Sequence, residues 1–188
     1  TLNESIKIFK YYKVESRFSH GYMFLSDYYL YTFNFDKALE LLEISIKLSE
    51  KDNFTLYHCY FLKAHIYFLK NNIRKCDFNI KKSLKIQAKM GHKYYIYFRS
   101  LIIYQLVRKK MGKNLNLKEI KFLAKKRRNL EYDQSYLLYI LLDDISYLKI
   151  SYKTIMSMLK NLKEGTNEFL KNPYTLKITN EYNKVFSN

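Results

Sequence analysis

The sequence has little proline and glycine, no tryptophan and few cysteines. One Pro and four Gly in 188 residues leave few positions for tight turns, bulges or a phosphate-binding loop. This argues against β-sandwiches, barrels and nucleotide-binding α/β folds. The chain also has 20 Tyr and 13 Phe, and 48% of its residues are hydrophobic, which excludes a disordered tail. The composition therefore predicts a folded, mainly helical chain.

The two cysteines, Cys59 and Cys76, are too few for a disulfide framework and form no C-x-x-C zinc or redox motif. No apolar stretch reaches the roughly 20 residues of a membrane span, because charged residues such as Arg99 and Asp143 interrupt the longest ones. We therefore expect a soluble, cytoplasmic protein without a transmembrane helix. Because the chain begins at Thr1 without an initiator Met, we also expect it to be part of a longer protein.

Apolar residues recur with the helical period of 3.6 residues, and nowhere with the period of 2 typical of strands. Two amphipathic helices are predicted after Asn34 and Asn72, and Asn is a favoured N-cap residue. We name the interval from Asn34 to Asn72 the repeat shift. The same interval superimposes further spaced pairs, which are Tyr22 and Tyr60, Tyr29 and Tyr67, Ala38 and Cys76, Leu42 and Ile80, and Ser45 and Ser83. The sequence therefore predicts a repeated helical hairpin that buries its apolar face by stacking.

These residues resemble the tetratricopeptide (TPR) repeat family. The first helix of repeat 1 carries Tyr22, Leu25, Ser26 and Tyr29 in the family's order, and the second carries Phe35, Ala38, Leu42, Ser45 and Leu48. Lys63 stands where the family usually has Leu, and the closing proline is replaced by a longer connection. That longer repeat is similar to the variety in bacterial signalling regulators and in maltose-regulator transcription factors. The resemblance implies an all-α, right-handed superhelix of stacked antiparallel hairpins, an α-solenoid.

We interpret residues 1–188 as a single TPR-like domain. Its parts are the end of a preceding repeat at 1–15, repeat 1 at 19–51, repeat 2 at 57–91, a divergent repeat 3 at 95–128, a weak repeat 4 at 133–164 and a capping helix at 172–185. In repeat 3, Asn116 and Glu119 suggest a capping box. In repeat 4, helices are predicted from Asp133 to Lys149 and from Ser151 to Glu164.

The net charge of +17 is concentrated in one third of the chain. Residues 1–69 hold 8 basic and 8 acidic residues, residues 70–129 hold 19 and 2, and residues 130–188 hold 7 and 7. Such a field concentrates polyanions, although compositional bias toward lysine gives a solvated surface of the same kind. The part that we name the basic ridge consists of Lys81, Lys82, Lys85, Lys89, Lys121, Lys125 and Arg128.

The resemblance implies that partners bind on the concave side, at outward positions of the first helices. By register this predicted groove consists of His20, Met23, Asp27, His58, Phe61, His65, Arg99 and Ile103. Aromatic, Met and His side chains form adaptable binding surfaces, and the alternative is that some of them pack against the neighbouring hairpin. The family's clamp for chaperone tails is not matched, because its positions hold residues such as Met23 and Asp27.

No catalytic or metal-binding motif is evident. The chain has no H-E-x-x-H, Cys/His cluster, G-x-S-x-G, P-loop or dinucleotide fingerprint, so we expect no enzyme, no metal and no cofactor. Asp143 and Asp144 are adjacent, and adjacent helical side chains do not face each other. The sequence thus predicts a non-catalytic protein- or peptide-binding scaffold or sensor domain of a larger regulatory protein. The alternative is a nucleic-acid-binding helical repeat that uses residues 70–129.

Overall fold

The computed structural model describes residues 15–50, 52–91, 95–127, 129–162 and 165–186. These residues contain ten α-helices and no strand, and 84% of them are helical, which confirms the all-helical class. The chain divides into two compact units, Thr1–Met111 and Gly112–Asn188, and each is described by itself.

Five described helices build the first unit. They are α1 (Glu15–Tyr31), α2 (Phe35–Leu48), α3 (Asn53–Leu69), α4 (Ile73–Met90) and α5 (Tyr95–Lys110). Helix α1 packs against α2 and α3 against α4, so that they form two hairpins. Helix α2 also packs on α3, α4 packs on α5, and α3 contacts both α1 and α5. Helix α3 is therefore the central element of this unit.

The two predicted N-caps are confirmed. The Asn34 side chain accepts a hydrogen bond from the backbone N–H of Lys37, and the Asn72 side chain accepts one from Lys75. The residue before each cap has a positive φ, 61° at Phe33 and 55° at Asn71. Both turns therefore have the same conformation, one repeat shift apart.

Buried serine hydroxyls connect the two helices of each hairpin. The Ser45 hydroxyl donates to the backbone carbonyl of Ser19 at 2.7 Å, and the Ser83 hydroxyl donates to that of Tyr57 at 2.8 Å. Donor and acceptor are both displaced by the repeat shift. The small serine side chain lets the helices approach closely, and its hydroxyl is satisfied by a backbone partner, as buried polar groups require. Positions that the repeat shift superimposes in the sequence thus make the same hydrogen bond in both hairpins.

The second unit contains the other five described helices. They are α6 (Lys118–Lys126), α7 (Tyr132–Leu142), α8 (Ile145–Asn161), α9 (Thr166–Lys171) and α10 (Pro173–Phe186). Helix α8 packs on α7 and α10, and α9 packs on α10. The rings of Tyr152 on α8 and Tyr182 on α10 stack with centroids 3.8 Å apart. This contact contributes to the packing of α8 on α10. The predicted start of the last helix at Pro173 is confirmed.

Two predicted helix boundaries in repeat 4 are wrong, since α7 ends before Lys149 and α8 begins at Ile145 rather than at Ser151. Helix α7 ends at Leu142, Asp143 adopts a left-handed conformation with φ 54°, and Asp144 caps α8 by accepting from the N–H of Ser146. The acidic pair therefore forms a turn, because Asp tolerates positive φ and is a good N-cap, whereas the sequence analysis had placed it inside a helix. In addition, α6 begins after Leu117, one residue later than the start expected after Asn116.

Several expectations lie outside the described residues. These are the preceding helix at residues 1–14, the residues after Leu162 that would have completed repeat 4, and Arg128 of the basic ridge. Across the described ranges, none of the helices combines the length and the apolar character needed to span a bilayer.

Candidate functional site

Part of the predicted groove forms an array of rings across α1 and α3. The His20 ring stacks on Phe54 with centroids 5.9 Å apart, and Phe54 lies edge-on to His58 at 6.2 Å. His58 is 6.4 Å from Phe61, and Phe61 is 5.8 Å from His65. The structure thus brings together four of the predicted groove residues. Phe54, which links two of them, was missed because it lies outside the register positions transferred from the family.

Helix α5 closes this array on one side. The guanidinium carbon of Arg99 lies 5.4 Å from the centroid of the Phe61 ring, a cation–π geometry. The same guanidinium donates a hydrogen bond from Nη2 to the hydroxyl of Tyr31 at 2.7 Å. Arg99 therefore connects α5 to both α1 and α3, and its side chain is used inside the unit.

Most of the predicted groove is buried. Met23, Phe61, His65, Arg99 and Ile103 are all buried, whereas His20, Asp27 and His58 are partly exposed. Helix α5 packs on α3, so predicted groove residues of α3 contact a neighbouring helix. In this structure these five side chains belong to the core, which agrees with the alternative that groove residues pack against the neighbouring hairpin. The other three side chains are the ones that a partner could contact.

His20 also contributes to the start of α3. Its Nε2 atom lies 3.2 Å from the hydroxyl of Thr55 and 3.6 Å from the Asp52 carboxylate. That carboxylate caps α3 by accepting from the backbone N–H groups of Phe54 and Thr55. The imidazole thus joins α1 to the capped end of α3.

The His58 imidazole is held neutral by its surroundings. Its pKa is lowered to about 4, mainly by burial and in addition by the charges of Arg99 and His20. Its Nδ1 atom is buried and has no hydrogen-bond partner among the described residues. His58 therefore stays uncharged at neutral pH.

An exposed aromatic stripe on α1 adjoins the array. Phe24 and Tyr28 are 51% and 60% exposed, and they lie one helical turn apart. The repeat shift pairs them with Leu62 and Ile66 of α3, which are both buried. This stripe was not predicted from the sequence, although the repeat shift pairs both aromatic residues with core positions of α3.

The corresponding face of α3 is covered by α2. Cys59 lies 3.2 Å from the Ser45 hydroxyl, the Lys63 ammonium donates to the Glu43 carboxylate, and the Lys70 ammonium donates to Asp36. Leu62 and Ile66 lie on this same helical face. On α3, therefore, the face equivalent to the exposed stripe of α1 holds an amphipathic helix.

The basic ridge is exposed wherever the structure describes it. Lys81, Lys82, Lys85 and Lys89 lie on the outer face of α4, and Lys121 and Lys125 lie on α6 in the second unit. The Lys81 ammonium pairs with Asp77. The Lys82 ammonium lies over the rings of Tyr60, at 5.0 Å, and Phe78, at 4.5 Å. One lysine of the ridge on α4 thus contacts two aromatic rings.

The two cysteines are buried thiols. Burial raises the pKa of both Cys59 and Cys76 to about 12, so neither is a thiolate at neutral pH. Both are free rather than disulfide-bonded. Among the residues that the structure describes, no three His, Cys, Asp or Glu side chains converge as a metal site would require.

A scan against protein-family models, a search of curated proteins and a search of solved structures each found no match to this chain. The resemblance to TPR proteins therefore rests on the spaced residues and stays a prediction.

Proposed function

We propose that this chain is a non-catalytic interaction module, a scaffold or sensor part of a larger regulatory protein, that binds a protein or peptide segment. The observation that carries the proposal is the exposed aromatic stripe of α1. Phe24 and Tyr28 occupy repeat positions whose counterparts on α3 are buried beneath α2. An apolar helix face of this kind suits an amphipathic helix, with His20, Asp27 and His58 at its edge.

The stripe also agrees with the anatomy of protein interfaces. Aromatic residues are enriched among those that contribute most to binding, because they bury a large area when a partner covers them. The bound segment is accordingly expected to be a helix with apolar residues every three to four positions. The charged side chains of that helix would remain in solvent.

The test is capture of a partner by the full chain, with nuclease present to remove bridging nucleic acid. The double variant Phe24→Ala with Tyr28→Ala is expected to lose the partner, with an unchanged melting temperature because both rings are exposed. Phe78→Ala is the matched control, since it removes an exposed ring from α4 instead. Full partner recovery by the double variant would refute the proposed surface.

A second candidate function is polyanion binding at the basic ridge, above all by nucleic acid. It is favoured by the exposure of all four ridge lysines on α4. Asp77, which pairs with Lys81, is the acidic residue of this helix. Ammonium groups that contact phosphates release counterions, so the logarithm of the binding constant falls linearly with the logarithm of the salt concentration.

This candidate is tested by replacing Lys81, Lys85, Lys121 and Lys125 with Glu. The variant is expected to bind mixed-sequence nucleic acid more weakly and with a shallower salt dependence. A control with the same change in net charge replaces Lys153, Lys160, Lys171 and Lys177, which are exposed elsewhere in the second unit. Equal losses in both variants would mean that net charge alone attracts nucleic acid, and the ridge would then have no specific role.

The finer architecture belongs to the same proposal. A right-handed, TPR-like superhelix is supported by the serine hydrogen bonds and cap turns that recur after one repeat shift. A crystal structure would support it if one rotation and translation carried α1–α2 onto α3–α4 and then carried α3 onto α5. Hairpins related by no common operation would contradict it.

A further inference from the structure

We propose that Phe78 and Phe122 are stacking platforms for the bases of single-stranded nucleic acid, and that the lysines around each ring contact the phosphates. The inference rests on the second candidate function and makes it specific, since it names the type of nucleic acid and two residues outside the basic ridge. Its starting observation is that the same local arrangement occurs in both units of the chain.

Phe78 lies in the middle of the outer face of α4. Its ring is 58% exposed, and exposed basic residues occupy the neighbouring turns on the same face, namely Arg74, Lys75, Lys81, Lys82 and Lys85. The opposite face of the helix buries Cys76 and Ile80. Phe78 therefore contributes little to the core and presents a ring within a cationic surface.

Phe122 has the same surroundings on α6. Its ring is 56% exposed, and exposed lysines surround it, which are Lys118, Lys121, Lys125 and Lys126. Both phenylalanines begin the sequence F-x-x-K-K, and the second lysine of each motif lies 4.5 Å from the ring centroid. One exposed Phe on a surface is ordinary. The same exposed ring with a lysine at the same motif position in both units indicates a shared binding role.

The pairing of ring and ammonium fits the two parts of a single-stranded polynucleotide. An unpaired base presents a flat face that stacks on an aromatic ring, while its phosphates attract lysines. In a duplex the bases are stacked on each other, so that a ring projecting from a helix surface has no base face to contact. Two partly exposed rings of α3 adjoin the α4 platform, because Lys82 also lies over Tyr60 and Lys75 lies over Tyr67.

An anionic membrane is the other surface that attracts lysines and aromatic rings. Membrane-bound amphipathic helices insert a whole apolar face into the lipid. The apolar face of α4 is already packed on α3, and its outer face offers the lipid one phenylalanine among lysines. The arrangement therefore favours a polynucleotide, and a membrane is an outcome that the test separates.

The experiment introduces tryptophan as a fluorescent probe, because the chain itself contains no tryptophan. The variants F78W and F122W of the full chain each carry a single tryptophan at one platform, which is excited selectively beside the 20 tyrosines. They are titrated with oligothymidine and with oligouridine of about twelve nucleotides, near the site size of known single-strand binders. Stacking on a base is expected to quench the emission of each variant, and the two oligonucleotides distinguish DNA from RNA.

Affinity is measured in parallel by fluorescence anisotropy of the labelled oligonucleotides. Phe78→Ala and Phe122→Ala are each expected to weaken binding by about 5- to 150-fold, the loss of one stacked base, with an unchanged salt dependence because the lysines remain. Leu176→Ala, which removes an exposed apolar side chain outside the motif, is expected to stay within about twofold of wild type.

Inorganic polyphosphate and anionic phospholipid vesicles complete the test. Oligonucleotide binding with no quenching, together with equal binding of polyphosphate, would overturn the stacking platforms but leave the polyanion candidate standing. A blue shift with vesicles and no response to oligonucleotides would replace the nucleic acid with a membrane. Absence of salt-dependent binding to all of these probes would remove both the platforms and the second candidate function.

Discussion

At the scale of single residues, the packing around His58 determines the charge of its imidazole. Its pKa is lowered to about 4 from an ordinary value of 6.5, so the unfolded chain binds more protons than the folded chain between these two pH values. The free energy of unfolding therefore decreases as the pH falls from about 6.5 toward 4, by at most about 1.4 kcal/mol per pH unit from this group.

Replacing His58 with Gln is expected to remove that contribution. Urea denaturation at pH 7 and pH 5 should show a smaller loss of stability in the variant than in the wild type, because the carboxylates contribute equally to both. A proton NMR titration of the wild-type chain checks the cause, with a midpoint near 4 expected for His58. A midpoint near 6.5 would show that the ring is not shielded as the structure indicates.

At the scale of helices, the repeated serine hydrogen bonds give the two hairpins equivalent contacts. Ser45→Ala and Ser83→Ala each remove a buried hydroxyl whose acceptor is a backbone carbonyl. Each substitution is expected to lower the free energy of unfolding by about 1 kcal/mol, a typical value for one such bond. Ser157→Ala, at an exposed position of α8, should stay within about 0.5 kcal/mol of wild type. A large loss at one serine and none at the other would show that the hairpins are not equivalent.

The helices also show what can be read from the sequence. Asn34 and Asn72 mark helix starts because capping is a local interaction between a side chain and nearby backbone groups. The repeat shift is visible because it repeats small and aromatic residues at fixed spacing. The end of α7 at Leu142 was not predicted, since the apolar pattern continues through Asp143 and the turn depends on one residue adopting a positive φ.

The candidate site was harder to predict than the helices. Periodicity identifies a helix face, but it does not show whether another helix covers that face. Phe61 and Ile103 were therefore assigned to a groove, although both are buried. The F-x-x-K-K motif was visible in the sequence, but the exposure of its phenylalanines depends on which face of the helix is left uncovered.

At the scale of the whole molecule, both compact units have an excess of positive charge. Residues 1–111 contain 20 basic and 9 acidic residues, and residues 112–188 contain 14 and 8. Long-range attraction to a polyanion is therefore a property of both units. Partner binding at the aromatic stripe of α1 depends instead on apolar area and should vary little with salt. Salt dependence thus separates the two candidate functions.

Amide hydrogen exchange on the full chain, free and in complex with the captured partner, tests the proposed interaction module most directly. Binding at the α1 stripe is expected to slow exchange in Glu15–Tyr31, because a covering helix suppresses local opening, and to leave Ile73–Met90 unchanged. Protection confined to Ile73–Met90 would identify the polyanion surface as the binding site. Identical exchange of the free and bound chain throughout the first unit would contradict the proposed function.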